Sequence, residues 1–150
     1  MKGKYNMVDK ITITGIFAIR VYRKGVLVEE SIEHNLVVNM GRDQIAKLLA
    51  GNVTGRNISR IAFGTNGTPP DVADTIIANQ YTRSVEGLSY PDTGQVQINW
   101  QLPVTENNGM AIMEFGLLTT DGTLFARRTR NNPLHKDSDI SIDGQWTIVI

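Results

Sequence analysis

His34 and His135 are the only two histidines in the chain, and they lie far apart in sequence. A Ser-His-Asp triad would need one of them beside a serine and a carboxylate, and no Gly-x-Ser-x-Gly elbow is present to expose the nucleophile. Cysteine is absent, which removes disulfides, thiolate zinc sites and a cysteine nucleophile. The two histidines with Glu33 or Asp137 could meet around a metal, but no ligand spacing supports that set. Asp137, Asp139 and Asp143 bring oxygen donors together without the calcium-loop order of alternating donors, a glycine and a distal glutamate. Polar strand faces and a turn account for the same residues. Gly64-Thr65-Asn66-Gly67 resembles a phosphate cradle superficially, yet it lacks the Gly-Lys-Ser/Thr that would follow and no helix opens behind it. It reads as a structural turn. No catalytic, metal-ligating or cofactor-binding residue is assigned, no cofactor is expected, and the chain is read as a non-enzyme.

The charged side chains are more informative. Arg127, Arg128 and Arg130, followed by His135 and Lys136, form the main basic cluster. In a strand, Arg128 and Arg130 share one face and Arg127 takes the other. A solvated strand end is one account of them. An intersubunit contact is the other, because arginine forks onto carboxylates and is favoured at interfaces. Glu114 sits inside the apolar run Met110 to Leu118, where an unpaired buried carboxylate is costly. Either it pairs with an arginine, Arg83 or Arg127, within or between chains, or it faces solvent from an edge strand.

The elements that must position these groups are mostly strands. Ile11, Ile13, Phe17, Ile19 and Val21 alternate with polar or small residues, and Gly15 reads as a bulge or kink in that strand. Lys24-Gly25 reads as a hairpin turn into Val26 to Ile32. Val96, Ile98, Trp100, Leu102 and Val104 give the cleanest alternation, opposite a wet face of Gln95, Gln97, Asn99 and Gln101. Met110 to Leu118 meets Leu124-Phe125-Ala126 across Asp121-Gly122, a type I′ signal. A second Asp-Gly, Asp143-Gly144, is read as the turn of a final hairpin joining Ile140 and Ile142 to Trp146, Ile148 and Ile150. One short helix is expected over about 41–50, with Ile45, Leu48 and Leu49 on one face, Asn39 as its cap and Gly51 as its stop. Gly64 to Asp74, with Pro69-Pro70, reads as a long shaped loop or arm.

The chain has 150 residues, 41% hydrophobic and 20% charged, which fits one globular domain with a true core. Fifteen basic residues balance fifteen acidic ones. That balance supplies no field for steering onto nucleic acid or an anionic membrane, and no aromatics interleave the basic cluster. No apolar run approaches the length of a membrane span and no secretory leader is expected. The Asn-x-Ser/Thr matches at Asn52, Asn57 and Asn66 are therefore not read as glycosylation sites. The fold class is mainly β: an antiparallel β-sandwich or jelly-roll-like domain with one short helix. It is read as a single domain, with residues 1–34 forming an amino-terminal arm or hairpin.

Several separated motifs also stand in a particular order. They are Asn35-Leu36-Val37-Val38 with Gly41-Arg42, Ile61-Ala62-Phe63-Gly64-Thr65, Pro69-Pro70, Asp74-Thr75 and Tyr81-x-Arg83. Then come Glu114-Phe115-Gly116-Leu117, Asp121-Gly122, Leu124-Phe125-Ala126-Arg127, Lys136 and Trp146-Thr147-Ile148. From Asn35 to Ile150 this order resembles small tailed-phage virion structural proteins, in particular the amino-terminal modules of tail-collar and tail-fibre proteins. The resemblance implies a non-enzymatic virion component, assembled in the host cytoplasm, that forms a homo-oligomer and contacts other virion proteins. A tail, collar or fibre attachment module is the leading expectation, and a capsid decoration (cement) protein is the alternative. A host-carbohydrate-binding β-sandwich, with Trp100 stacking on a sugar, is the third. The interface candidates are Pro69, Pro70, Arg83, Glu114, Arg127, Arg128 and Arg130. Neither nucleic acid, membrane nor a small-molecule ligand is expected as a partner.

Overall fold

The computed structural model describes residues 12–150. The readings that fall on Met1 to Ile11, including the first residue of the alternating Ile11–Val21 pattern, lie outside the described residues. The elements are β1 (Thr14–Arg23), β2 (Val26–Val37), α1 (Asn39–Leu49), β3 (Ile58–Gly64), β4 (Tyr81–Ser84), β5 (Gly87–Ser89), β6 (Gln95–Leu102), β7 (Ala111–Thr119), β8 (Leu124–His135) and β9 (Ile140–Val149). The strands form one antiparallel sheet in the order β4-β3-β7-β8-β2-β1-β9-β6-β5. The sheet curls on itself, so that β2-β1-β9-β6-β5 and β4-β3-β7-β8 face each other as a sandwich, the mainly β architecture expected.

The two halves join where β2 meets β8, and there only Leu36↔Arg127 and Val37↔Ala126 are paired. Between the halves lies an aromatic core. Phe17 stacks on Trp100 with ring centroids 5.6 Å apart and meets the edge of Trp146 at 4.9 Å, while Phe63 and Phe115 close the other side at 5.8 Å. Period-two alternation places these residues. Phe17, Ile19 and Val21 on β1, Ile98, Trp100 and Leu102 on β6, and Ile140, Ile142, Trp146 and Ile148 on β9 all point inward and are buried.

The structure corrects three local readings of the strands and turns. Asp143-Gly144 is not a turn, because β9 runs unbroken through it from Ile140 to Val149. The inward row keeps its period across Gly144, whose missing side chain makes room for the Trp100 ring. Gly15 is not a bulge. It pairs in regular register with Asn35 and Ile148, and the irregularity falls between Val21 and Tyr22, where β2 carries one extra residue, Val28. Asp121-Gly122 does close the β7–β8 hairpin, but only Gly122 has positive φ, at 86°. A type I′ turn needs both central residues there. Gly122 N instead donates to Thr119 O, the pattern of a type I turn ending in a left-handed glycine. Lys24-Gly25 does have both φ values positive, 50° and 77°, as its hairpin requires.

The helix begins two residues earlier than expected. Asn39 is its first residue rather than its cap, and Val38 holds the cap position without a side-chain hydrogen bond. Leu49 points to solvent, and the buried positions are Gly41 and Gln44, with Ile45 packed on the core. Val38 N donates to Phe125 O at 3.1 Å, which fastens the start of α1 to β8.

Candidate interaction surface and the buried clamp behind it

Glu114, on β7, lies one diagonal from Arg127 on β8, because the hairpin register sets Gly116 opposite Arg127 and Glu114 opposite Thr129. Arg127 Nε donates to Glu114 Oε1 at 3.0 Å. The two side chains are 2% and 0% exposed, so the pair is removed from water within a single chain. Of the two arginines considered for Glu114, the partner is Arg127 and not Arg83.

The rest of both side chains holds the long loop. Arg127 Nη1 donates to Asp74 Oδ2 and Nη2 donates to Asn66 O, each at 2.8 Å. Glu114 Oε2 accepts from the backbone N–H groups of Asn66 and Ala78. Each guanidinium nitrogen and both carboxylate oxygens therefore have a partner inside the chain, which is the condition for a buried ion pair to be tolerable. Residues 65–80 do not extend as an arm. They fold back over the outer face of the β3–β7 strands, where Ile77 joins Val38, Ala62, Leu118 and Leu124 in a second small core. Gly64 and Gly116 form the floor beneath Ile77, since a Cβ on either would come within 2.4 and 2.7 Å of its side chain. Pro69 remains exposed at the outside of this pinned loop and Pro70 is half-buried.

The other candidate arginines are also engaged. Arg83 Nε donates to both carboxylate oxygens of Glu106, at 3.2 and 3.1 Å, and Arg83 also pairs with Glu86. Tyr81 donates its hydroxyl to the same Glu106 at 2.6 Å, which accounts for the Tyr81-x-Arg83 spacing on β4. The Tyr81 hydroxyl, the Arg83 guanidinium and their companions together hold the Glu106 carboxyl below its ordinary range. Arg130 forks onto Glu29 at 2.7 and 2.9 Å, and Arg128 pairs with Glu33 and reaches the backbone carbonyl of His34. These pairs bridge β8 and β2 just where the two strands stop hydrogen bonding. They rim a cleft of about 250 Å³ whose floor includes Phe17, Ile19 and Phe115. Desolvation in that cleft, with Arg130 close by, pushes the Arg128 guanidinium down.

Beside these pairs β2 is unusual. It exposes Val26, Leu27, Val28 and Ile32, at 64, 47, 56 and 71% of their surface. From Val26 to Asn35 it pairs with β1 alone. The outermost strands of the sheet, β4 and β5, are only four and three residues long, the usual protection of a sheet edge. The long open edge is therefore internal, at β2.

Of the three neighbouring carboxylates Asp137, Asp139 and Asp143, two are engaged with arginines: Asp139 with Arg23 at 2.9 Å and Asp143 with Arg20 at 2.7 Å. Among the described residues no group of three His, Asp or Glu side chains is arranged to hold a metal. Trp100 is 1% exposed beneath Gly144 and cannot stack on a sugar, so that part of the carbohydrate reading fails.

Two buried polar centres had no signal in the sequence. Lys136 is fully buried, with Nζ donating to Asn108 Oδ1 at 2.7 Å and to the carbonyls of Asp137 and Val104. Burial pushes its ammonium down. Gln44, on the inner side of α1, donates to Thr119 and to both Asp121 oxygens, and accepts from Arg56 Nη1 at 2.6 Å. Hydrogen bonds from the Thr119 hydroxyl first, then from Gln44 and Thr123, hold the Asp121 carboxyl well below the carboxylate range. A depressed folded-state value contributes stability that is present above the ordinary pKa, near 3.8, and is lost as pH falls below it. Asp121→Asn is therefore expected to be less stable than the parent at pH 7 and to converge with it toward pH 2. Urea melts across that range check this, and a constant gap between the two proteins would refute the role of Asp121.

No family model, curated protein or solved structure matches the chain.

Proposed function

We propose that this chain is a non-enzymatic structural protein that acts through protein–protein contacts, and that its assembly is a tailed-phage virion, at the tail, collar or fibre attachment. The observation that supports the contact role is the open edge of β2. Ten residues of strand hydrogen-bonded to β1 alone, with four exposed apolar side chains, offer another chain a surface at the positions that the Glu29–Arg130 and Glu33–Arg128 pairs do not cross. The clamp behind Pro69-Pro70 supports it as well. A loop fixed in advance loses less entropy on docking than a free one. The virion context is supported by the ordered motifs from Asn35 to Ile150 alone.

Light scattering coupled to size exclusion, together with immunogold labelling of particles from the source, tests both parts. The native chain is expected to be a homo-oligomer, Ile32→Lys is expected to shift it to a monomer, and gold is expected on the tail or collar. Gold spread over the head would replace the tail reading with the capsid decoration protein. A native chain that is monomeric in solution and on the particle would refute the contact role of β2.

A further inference from the structure

The tip of the β1–β2 hairpin leaves three successive apolar side chains in solvent, Val26, Leu27 and Val28. The extra residue of the bulge, Val28, interrupts the ladder with β1 at the same place. Three positions to either side of Leu27 stand Lys24 and Glu30, both exposed. The other charged side chains of the hairpin are engaged: Arg20 with Asp143, Arg23 with Asp139, Glu29 with Arg130 and Glu33 with Arg128. Among the described residues Lys24 and Glu30 alone on this hairpin have no ion-pair partner. Arg20 lies opposite Glu30 in the β1–β2 register, but its Nε donates to Asp143 on the other side.

Unpaired charges of opposite sign, placed evenly about an apolar centre, are self-complementary under a two-fold axis. We infer that two copies of this chain meet through their hairpin tips, with β2 antiparallel to β2 across an axis at Leu27. Each Lys24 then reaches the partner's Glu30, Val26 packs on the partner's Val28, and the two Leu27 side chains close the centre. Ile32, two residues beyond Glu30, borders the turn of the other copy, so a lysine introduced there would stand beside the partner's Lys24. Longer pairings are disfavoured by the acidic run of β2. A contact centred on Ser31 sets Glu29 against the partner's Glu33, and one centred on Glu30 sets that carboxylate against itself. The tip is also the part of the strand that the Glu29–Arg130 and Glu33–Arg128 bridges leave uncrossed. The inference rests on the contact role of β2 and adds the occupant, a second copy, and its register.

Sedimentation equilibrium of the full chain tests it. Lys24→Glu and Glu30→Lys are each expected to raise the dimer dissociation constant by about tenfold or more, because each sets like charges together twice across the axis. Mixed in equal amounts, the two variants should associate with each other about as the native chain does with itself, since one carries glutamate at both positions and the other lysine. The double variant Lys24→Glu/Glu30→Lys should recover self-association in the same way. Single variants that associate like the native chain, or losses that neither the mixture nor the double variant recovers, would overturn the inference. Should the turn not tolerate Lys24→Glu, Glu30→Lys is compared with Glu30→Gln. The lysine variant should weaken association clearly more, and equal effects would overturn the inference. If the charge variants fail these tests while Ile32→Lys still disperses the native oligomer, the contact role of β2 stands and only the register falls. A monomeric native chain removes both.

Discussion

Arg127→Met is expected to lower stability by about 3–5 kcal/mol, a large part of the roughly 5–15 kcal/mol that holds a domain of this size. The substitution keeps most of the side chain's bulk and removes its charge. Glu114 would then be a fully buried carboxylate with two backbone N–H donors and no cation, the carbonyl of Asn66 would lose its guanidinium donor, and Asp74 would keep only the N–H of Asp71. Leaving one member of a buried pair alone costs more than the pair itself contributes. Arg127→Met combined with Glu114→Met should therefore lose clearly less than the sum of the single losses. It stays below the native chain, because the N–H groups of Asn66 and Ala78 have then lost their acceptor. Asp71→Ala, an exposed position in the same loop, is expected to cost under about 1 kcal/mol. Urea midpoints at constant m-value compare the two single variants, the double variant and Asp71→Ala with the native chain. An Arg127→Met loss no greater than that of Asp71→Ala would show that the clamp does not hold the fold.

Gly144→Ala should be nearly as damaging, although it adds a single methyl group. A Cβ built at Gly144 lies 2.3 Å from the carbonyl oxygen of Ala18 and 2.4 Å from Cζ2 of Trp100. The first contact is backbone of the paired strand β1, and the second is a ring held by Phe17 and Phe63. Neither can swing aside as the end of a flexible side chain could. Overpacking of this kind costs about 1–3 kcal/mol, and with backbone on one side the upper value is expected. Trp100→Phe in the same chain removes the offending part of the indole but not the carbonyl contact, so it should recover part of the added loss. Thermal melts of the two single variants and the double variant give that coupling. A Gly144→Ala protein with an unchanged Tm would mean that β9 does not pass this close to β1.

What the sequence disclosed follows from which interactions are local. The inward row of β6 was legible because alternation is a property of neighbouring residues. The Glu114–Arg127 pair was half legible, since a hairpin centred on Asp121-Gly122 sets the two on adjacent strands, whereas Arg83 lies on β4 with β3 intervening. The Asp143-Gly144 reading gave the turn dipeptide more weight than the unbroken period of Ile140, Ile142, Trp146 and Ile148. The reason for that glycine, the Trp100 ring, lies more than forty positions away in the chain. The grip of Asp74 and Asn66 on Arg127 depends on how a long loop folds back, and no local pattern encodes it. Gln44 and Lys136 look like ordinary polar residues of a helix and a strand end. Only the packing of distant elements makes them interior.

The pairing of β1 also bears on how the chain reaches its native state. One neighbour, β2, follows immediately through Lys24-Gly25, but the other is β9, with Thr14 opposite Val149. The β1–β2 hairpin can close early, yet the inward row of β1 meets its aromatic partners only from Trp100 onward, and its second neighbouring strand only at the far end of the sequence. Closing so long a loop is slow relative to local pairing. During that interval the chain displays two apolar surfaces, the future core row and the exposed residues of β2. Its yield should therefore depend on chaperone supply and concentration well before it depends on the stability of the finished fold.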